Sequence, residues 1–547
     1  MSKTPFIQAI APLKLEWEPY YELPDAQVGE RVTVELAHRP YTAVVSAVNV
    51  EPPADIKIIL PAKKTDLPPV HSREIAFWRA LAQYYLCSVG EVYKAAYPAV
   101  MHRMPRVPEE ETLPSAGSLE AMEEMPPQFS AVLDAFSRYN TVLLQGGAPA
   151  ALYRALASKT LQEGKSVLIL VPEIALSRLD IPGALVYHSG LSYVKRRAIA
   201  KQVREQEATL ILGTRSALFL PHHNLGLILV HQEHDAAFKQ ESPAPRYHAR
   251  EAAILLAGIH GAQVLLSSET PSLESLYNAD NGKFGSIELK QDYKPLTRII
   301  DTAAETRKNG MAGSFSLKLL EEMKRCLDGG KKILVICRSK AALQECTEEL
   351  ERIYPGNRRI VTATPASFKT LSQGSFALCA VLQADALLSK EDFRSDERTL
   401  QLLQQLRSRC SQGGLLLIQT REGAHPVFKA LEEGWDAHAF LEERRVAGYP
   451  PYTRLVDITL KDKAPKRLEY MARLLADKLR SCGGHLFGPY EPQQLSPEES
   501  IPARAIRMAL SRDRQLSSCK KAILQSVNSF ELQYKYTGHI VVDVDPL

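Results

Sequence analysis

Polar and apolar residues alternate over Arg31-Val32-Thr33-Val34-Glu35-Leu36 and again from Tyr41 to Val48, the period-two signature of half-buried strands. A helical period replaces it from Glu74 to Tyr85, where Ile75, Trp78, Leu81, Ala82 and Tyr85 fall on one face. Pro105, Pro108, Pro114, Pro126 and Pro127, set among glutamates, then interrupt any regular pattern, and residues 101–127 are expected to be a linker. Beyond it the apolar runs change character. Thr141–Leu144, Ser166–Val171, Leu225–Val230 and Ala262–Leu266 are short, nearly continuous and separated by helical lengths, which buried parallel strands require. Lys332–Ile336, Ala377–Leu382 and Gly414–Ile418 form a second such set. The pattern predicts a β-rich module over residues 1–100, two α/β lobes over 128–292 and 293–428, and a small α+β domain over 429–547. That last domain is expected to hold an amphipathic helix near Lys466–Ser481 and a terminal strand at Gly538–Val544.

A chain of 547 residues is too long for one core. Hydrophobic residues at 45% and charged residues at 24% suit soluble globular domains. The net charge is +4, from 67 Lys and Arg against 63 Asp and Glu, so any nucleic-acid footprint must be a local patch and not a whole-molecule field. No stretch approaches the roughly 18 apolar residues of a membrane span, and Met1-Ser2-Lys3-Thr4-Pro5 leads into no apolar signal core. A cytoplasmic protein with no membrane partner is expected. The eight cysteines include no pair at CxxC spacing, and neither a zinc site nor any other metal or cofactor is expected.

Gly213-Thr214-Arg215-Ser216-Ala217-Leu218-Phe219, an apolar strand, Glu233-His234-Asp235, Phe238-Lys239-Gln240 and Arg246-Tyr247-His248-Ala249-Arg250 follow one another in order. Thr270 to Leu276, Asp392 to Arg398, Gly448-Tyr449-Pro450-Pro451-Tyr452 and Val544-Asp545-Pro546 extend the series, and Tyr84-Tyr85 with Gly90-Glu91-Val92 carry it into the N-terminal module. This series resembles the primosomal protein N-prime family, superfamily-two helicases that restart replication forks. The resemblance implies an α/β fold class with two RecA-like helicase lobes, flanked by an N-terminal β-rich module that recognises a DNA 3′ end and a C-terminal α+β domain. The family activity it implies is ATP-dependent 3′–5′ DNA unwinding.

Against that background the nucleotide chemistry is eroded. A phosphate loop needs glycines that turn successive N–H groups inward, a lysine for the β and γ phosphates and a Ser or Thr for magnesium. The chain has Gln145-Gly146-Gly147-Ala148-Pro149-Ala150-Ala151-Leu152-Tyr153, so Pro149 stands at the lysine position and Ala150 at the threonine position. Where the family carries an Asp and a Glu for magnesium and water, His231 and Gln232 stand. The arginine-finger position is Gln412, although Arg409 survives. The cysteine-rich zinc insert and a winged-helix domain are also missing by length. ATPase and helicase activity are therefore expected to be lost, with no catalytic residue to assign.

DNA binding is the function expected to remain. Candidate surface residues in the N-terminal module are Arg39, Tyr41, Lys57, Lys63 and Lys64. In the central segment Phe238, Lys239, Arg246, Tyr247, His248 and Arg250 mix flat rings with cations, which either stack bases and neutralise phosphate or hold the lobes together. Basic clusters stand at Lys195-Arg196-Arg197 with Lys201 and Arg204, and at Arg504, Arg507, Arg512, Arg514, Lys520 and Lys521. The expected partners are forked or single-stranded DNA, primosome proteins, the replicative helicase loader and single-strand DNA-binding protein. The competing expectations are a protein-interaction scaffold with weak DNA binding, and an ATP-dependent DNA helicase with a rearranged nucleotide site.

Overall fold

A computed structural model describes residues 5–54, 56, 59–98, 125–173, 179–289, 295–369, 371, 374–388, 392–492 and 501–546. Lys57 and all but the last few residues of the expected linker lie outside them.

The N-terminal module is a six-stranded sheet in the order Leu60–Pro61, Tyr20–Glu22, Phe6–Ile10, Arg39–Val48, Arg31–Leu36, Lys63–Lys64. Its central hairpin pairs Leu36 with Arg39. The two-residue turn puts Ala37 and His38 at φ 50° and 59°, the positive values by which a tight hairpin matches the right-handed twist of its strands. The helix Ser72–Tyr85 follows, started by Glu74 reaching back to the His71 amide at 2.9 Å and ended by Leu86 in the left-handed region. The next helix, Val89–Ala96, lies so close to the connection between the strands Phe6–Ile10 and Tyr20–Glu22 that a Cβ on Gly90 would stand 2.1 Å from the Leu13 carbonyl oxygen. Glycine is required there.

Seven parallel strands form the next sheet, in the order Gly285–Glu288, Thr141–Gln145, Gln263–Ser268, Leu225–His231, Ser166–Leu170, Leu210–Gly213, Leu185–Tyr187. Five more parallel strands form a second sheet, Leu296–Asp301, Cys410–Thr420, Phe376–Val381, Ile333–Ile336, Ile360–Ala363. The apolar runs picked out by pattern are buried inner strands of both sheets; the inner strand Leu210–Gly213, although fully buried, and the short edge strands were not among them. The helix Pro426–Glu433 packs Val427, Phe428 and Leu431 into the core of the five-stranded sheet. It thus crosses the boundary expected near residue 428.

The C-terminal region is a four-stranded antiparallel sheet, His485–Tyr490, Ala503–Ser511, Thr453–Lys461, His539–Val544, packed by the helices Pro465–Leu479 and Leu516–Gln533. One continuous apolar core joins its helices to the helix Ser72–Tyr85 and to the face of the seven-stranded sheet covered by the helix Ala249–His260. Among the described residues no helix is long and apolar enough to cross a membrane.

Candidate functional site

The strand Thr141–Gln145 delivers the glycine loop at its C-terminal end. Gly146 and Gly147 take φ values of 94° and 83°, and both their N–H groups donate to the Ser268 carbonyl, at 2.9 and 3.2 Å. Amides that a phosphate cradle would aim outward are directed at the neighbouring strand. The loop is also packed from both sides: a Cβ on Gly146 would stand 2.7 Å from the Leu289 carbonyl oxygen, and one on Gly147 3.0 Å from the Glu269 side chain. Pro149 is the N-cap of the helix Ala150–Gln162 and offers neither side-chain cap nor N–H.

Where magnesium acids would project, His231 places Nδ1 3.0 Å from the Tyr153 hydroxyl, which also bonds the Ser267 hydroxyl. Burial, and then the neighbouring His234, push the His231 imidazole down to about 4. It is neutral at physiological pH and closed into a side-chain network. Gln232 sits at φ 54°. Glu233 is fully buried and accepts from Arg250 at 2.7 Å, the Ser272 amide at 2.7 Å and the Ser272 and Ser275 hydroxyls at 3.0 Å. Both oxygens of that carboxylate are engaged, and the side chain is sealed from solvent.

Ala150, His231, Gln232, Glu269, Lys369 and Arg409 line a cavity of about 460 Å³ between the two parallel sheets. Contacts cross it. The Gln405 side chain meets His234 Nε2 at 2.8 Å, while His234 Nδ1 meets the Ser268 hydroxyl at 2.6 Å. Lys369 pairs with Asp235 at 2.8 Å; burial works against that carboxylate, but the ammonium holds it below its ordinary value. Glu269 and Ser408 both line the cavity, and the Ser408 hydroxyl donates to the Gln405 carbonyl at 2.9 Å. Although much of the Glu269 surface meets solvent, desolvation at the mouth of the glycine loop raises its carboxyl above the usual range, against the Ser408 hydroxyl and the charge of Arg407. Further along, the Leu273 amide donates to Glu397 at 3.0 Å and Arg394 pairs with Glu274 at 2.7 Å. Arg409 donates to the Gly374 carbonyl at 3.0 Å and lies over the Phe368 and Phe376 rings. Gln412 is exposed on the strand Cys410–Thr420 and does not line the cavity.

The buried histidines give a pH prediction. His222 and His260 are also pushed down to about 4 by burial, so between the unfolded value of about 6.5 and about 4 the unfolded chain binds more protons than the native one. The stability they contribute is fully present above that window and is lost as pH falls through it, by roughly 3 kcal/mol for a fully enclosed ring such as His222. Hydrogen-exchange protection of the amides around His222, corrected for intrinsic exchange at each pH, is expected to fall from pH 7 to 4.5 and to fall less in His222→Asn; equal falls would contradict the assignment.

The segment from Asp235 to Arg250 departs from the open stacking platform envisaged as one alternative. Phe238, Lys239, Tyr247 and Arg250 are buried. Lys239 is 1% exposed at its side chain and donates to the Arg246 and Val544 carbonyls at 2.8 Å and to Asp543 at 2.6 Å. Tyr247 donates to the Arg215 carbonyl at 3.2 Å, and Arg215 donates to the Lys239 carbonyl at 2.7 Å. His248 caps the helix Ala249–His260. Arg246 is half-buried, its guanidinium on the Glu241 carbonyl. Ring and cation chemistry here braces the seven-stranded sheet against the C-terminal strand, because each polar group finds a partner inside.

In the N-terminal sheet the four described candidates do not share a face. Strand register puts Lys64 beside Val32 and Tyr41 beside Val34, whereas Lys63 sits beside Thr33 on the opposite face. Arg39 and Lys63 are exposed, and Lys64 is tied to Glu30 at 3.1 Å. A residue outside the predicted set is better placed. Trp17 is 58% exposed on the wall of a cavity of about 1060 Å³ between the N-terminal module, the segment 242–246 and the C-terminal domain. Beside it Glu18 takes Arg79 at 3.0 Å. No periodicity marks Trp17, since it lies between strands.

Residues 12–98 match the family model for a 3′ DNA-binding domain (3′BD). The chain is 26% identical over 512 residues to the replication restart protein PriA of Bacillus subtilis, covering 73% of this chain and 62% of that protein. For the PriA of Rickettsia felis the identity is 23% over 86% of this chain and 89% of the relative, and for Haemophilus influenzae 25% over 75% and 70%. Among solved structures the DUF1998 helicase MrfA bound to DNA is a distant likeness, with 13% identity, 74% of this chain and 62% of that chain covered and a TM-score of 0.38. The chain is similar over most of its length to the replication restart proteins PriA, and its residues 12–98 match the model of a 3′ DNA-binding domain.

Proposed function

We propose that this chain acts in replication restart by binding forked DNA at a nascent 3′ end and supporting primosome assembly, without binding or hydrolysing nucleoside triphosphate. In this reading the two parallel-sheet units are helicase-type lobes that keep the fold and have lost the motor. One observation carries it: both glycine-loop amides are bonded to Ser268, beside a helix start without lysine and a strand end with His231 in place of an acid. The matched 3′ DNA-binding domain supports the remaining activity, and single-strand DNA-binding protein, the replicative helicase loader and other primosome proteins are the partners it implies.

Fork binding without nucleotide is the test. Fluorescence anisotropy with a fork bearing a leading-strand 3′ end is expected to give tighter binding than a plain duplex of equal length; equal weak affinity for the two would remove the reading. Within it, Trp17→Ala is expected to weaken 3′-end binding about tenfold, since stacking one base on an exposed ring contributes about 1–3 kcal/mol. Loss of the same size on a blunt duplex would show that Trp17 does not read the end. A second reading, a protein-interaction scaffold, draws on the interior brace of Lys239, Tyr247 and Arg250 and predicts a partner complex that forms without DNA.

A further inference from the structure

The helix Tyr193–Glu205 carries Lys195, Arg196, Arg197, Lys201 and Arg204 against the single acid Glu205 at its end. It buries Ile199 and Val203 against the body of the protein. At the helical period Arg197, Lys201 and Arg204 fall at i, i+4 and i+7 on the side away from those two residues, with Lys195 on the flank. Lys195 and Lys201 are exposed, and among the described residues neither is paired with a carboxylate. By contrast, the C-terminal cluster is largely occupied at home: Arg504 pairs with Glu469, Arg507 with Asp457, Arg512 donates to the Pro451 carbonyl and Lys520 to the Tyr84 carbonyl.

The helix is anchored to the neighbouring residues of the segment 12–98. Arg204 donates to the Tyr97 hydroxyl at 3.0 Å, and the Arg31 guanidinium lies over the same ring at 4.2 Å. Arg73 reaches across to the His223 carbonyl. Glu74 is buried and already taken by the His71 amide and by Tyr97, whose hydroxyl donates to it at 2.7 Å. The exposed band of Lys195 and Lys201 therefore carries positive charge that no carboxylate among the described residues neutralises.

We propose that this band seats a duplex arm of the DNA through its phosphates. The inference rests on the fork-binding reading and names the surface that reading lacks. From Lys195 to Arg204 the helix axis advances about 13 Å, and a DNA strand carries one charge per about 3.4 Å of axis, so the stripe spans about four phosphates. Single-strand sites interleave stacking rings with cations; here Tyr97 is buried and Tyr193 half-buried, which favours a backbone contact on a duplex.

The test compares the full chain with the double variant Lys195→Gln/Lys201→Gln, by anisotropy over a series of salt concentrations, on the 3′-ended fork, a blunt duplex and a single-stranded oligonucleotide. Both lysines are exposed, and far-ultraviolet circular dichroism checks that the fold is kept. The variant is expected to bind the duplex about tenfold more weakly, with a log–log salt slope shallower by about 2 because each lost phosphate contact removes about 0.9, and to bind the single strand as the parent does. A duplex slope equal to the parent's overturns this surface and leaves the fork-binding reading standing. Equal losses on duplex and single strand overturn the duplex assignment. A parent chain that binds none of the three DNAs, or a band that instead captures an acidic protein, overturns the proposal, and the first of these takes the fork-binding reading with it.

Discussion

Magnesium-ATP is expected to change neither the thermal midpoint of this chain nor its affinity for forked DNA, and phosphate release should stay at buffer background with and without DNA. A ligand that binds only the native state at 100 times its Kd adds about 2.7 kcal/mol of stability, so an unmoved midpoint at millimolar ATP is a strict test of binding. Several losses act independently. The loop amides face Ser268, Pro149 supplies no cation or N–H, His231 is neutral and bonded to Tyr153, and Glu269 brings a carboxylate up to the glycine loop. Loss of an arginine finger alone costs about 10³ to 10⁵ in rate, and Gln412 is not in the cleft. Restoring one acid with His231→Asp is accordingly expected to leave turnover at background, because the phosphates still have no cradle. DNA-stimulated hydrolysis by the parent chain that disappears in Gln232→Ala would establish a rearranged nucleotide site instead.

The central strands were legible because a buried parallel strand must be apolar on both faces, and runs such as Leu225–Val230 leave little else to predict. Edge strands such as Leu185–Tyr187 and Ile360–Ala363 are only half enclosed and just three and four residues long, too short for a run or a period to stand out. The residue types at these positions, Pro149, Ala150, His231 and Gln232, are likewise visible in the chain without coordinates. What the chain could not disclose is the direction in which a surviving group points. Lys239, Tyr247 and Arg250 have the composition of a DNA platform, yet burial decides their role, and burial follows from contacts with residues some 300 positions away, as between Lys239 and Asp543. Glu269 and Trp17 escaped notice for a related reason. Each lies in a connection with no period, and each matters through a neighbour distant in sequence.

Lys239→Ala is expected to be among the most damaging single changes in the chain, although it removes one side chain from what composition marks as a DNA-binding segment. Its ammonium satisfies three oxygens, Arg246 O, Val544 O and Asp543 Oδ1, within 2.8 Å and lies over the Tyr85 ring at 5.6 Å. It thereby joins the seven-stranded sheet, the C-terminal strand His539–Val544 and the N-terminal helix Ser72–Tyr85 at one point. Asp543 already bears a desolvation cost large enough to raise its carboxyl above the ordinary value despite Lys239; without the lysine it keeps the cost and loses the counter-charge. Removing one partner from a buried ion pair typically costs about 3–5 kcal/mol, against about 0–1 kcal/mol for an exposed pair such as Arg445 with Glu442. Because a chain of several domains does not unfold in two states, the measurement is local: hydrogen exchange and limited proteolysis of residues 453–546, where protection should fall first. A lysine that served DNA directly would give the reverse pattern, with exchange unchanged and affinity for every DNA reduced, and that outcome would return the segment from Asp235 to Arg250 to the nucleic-acid surface.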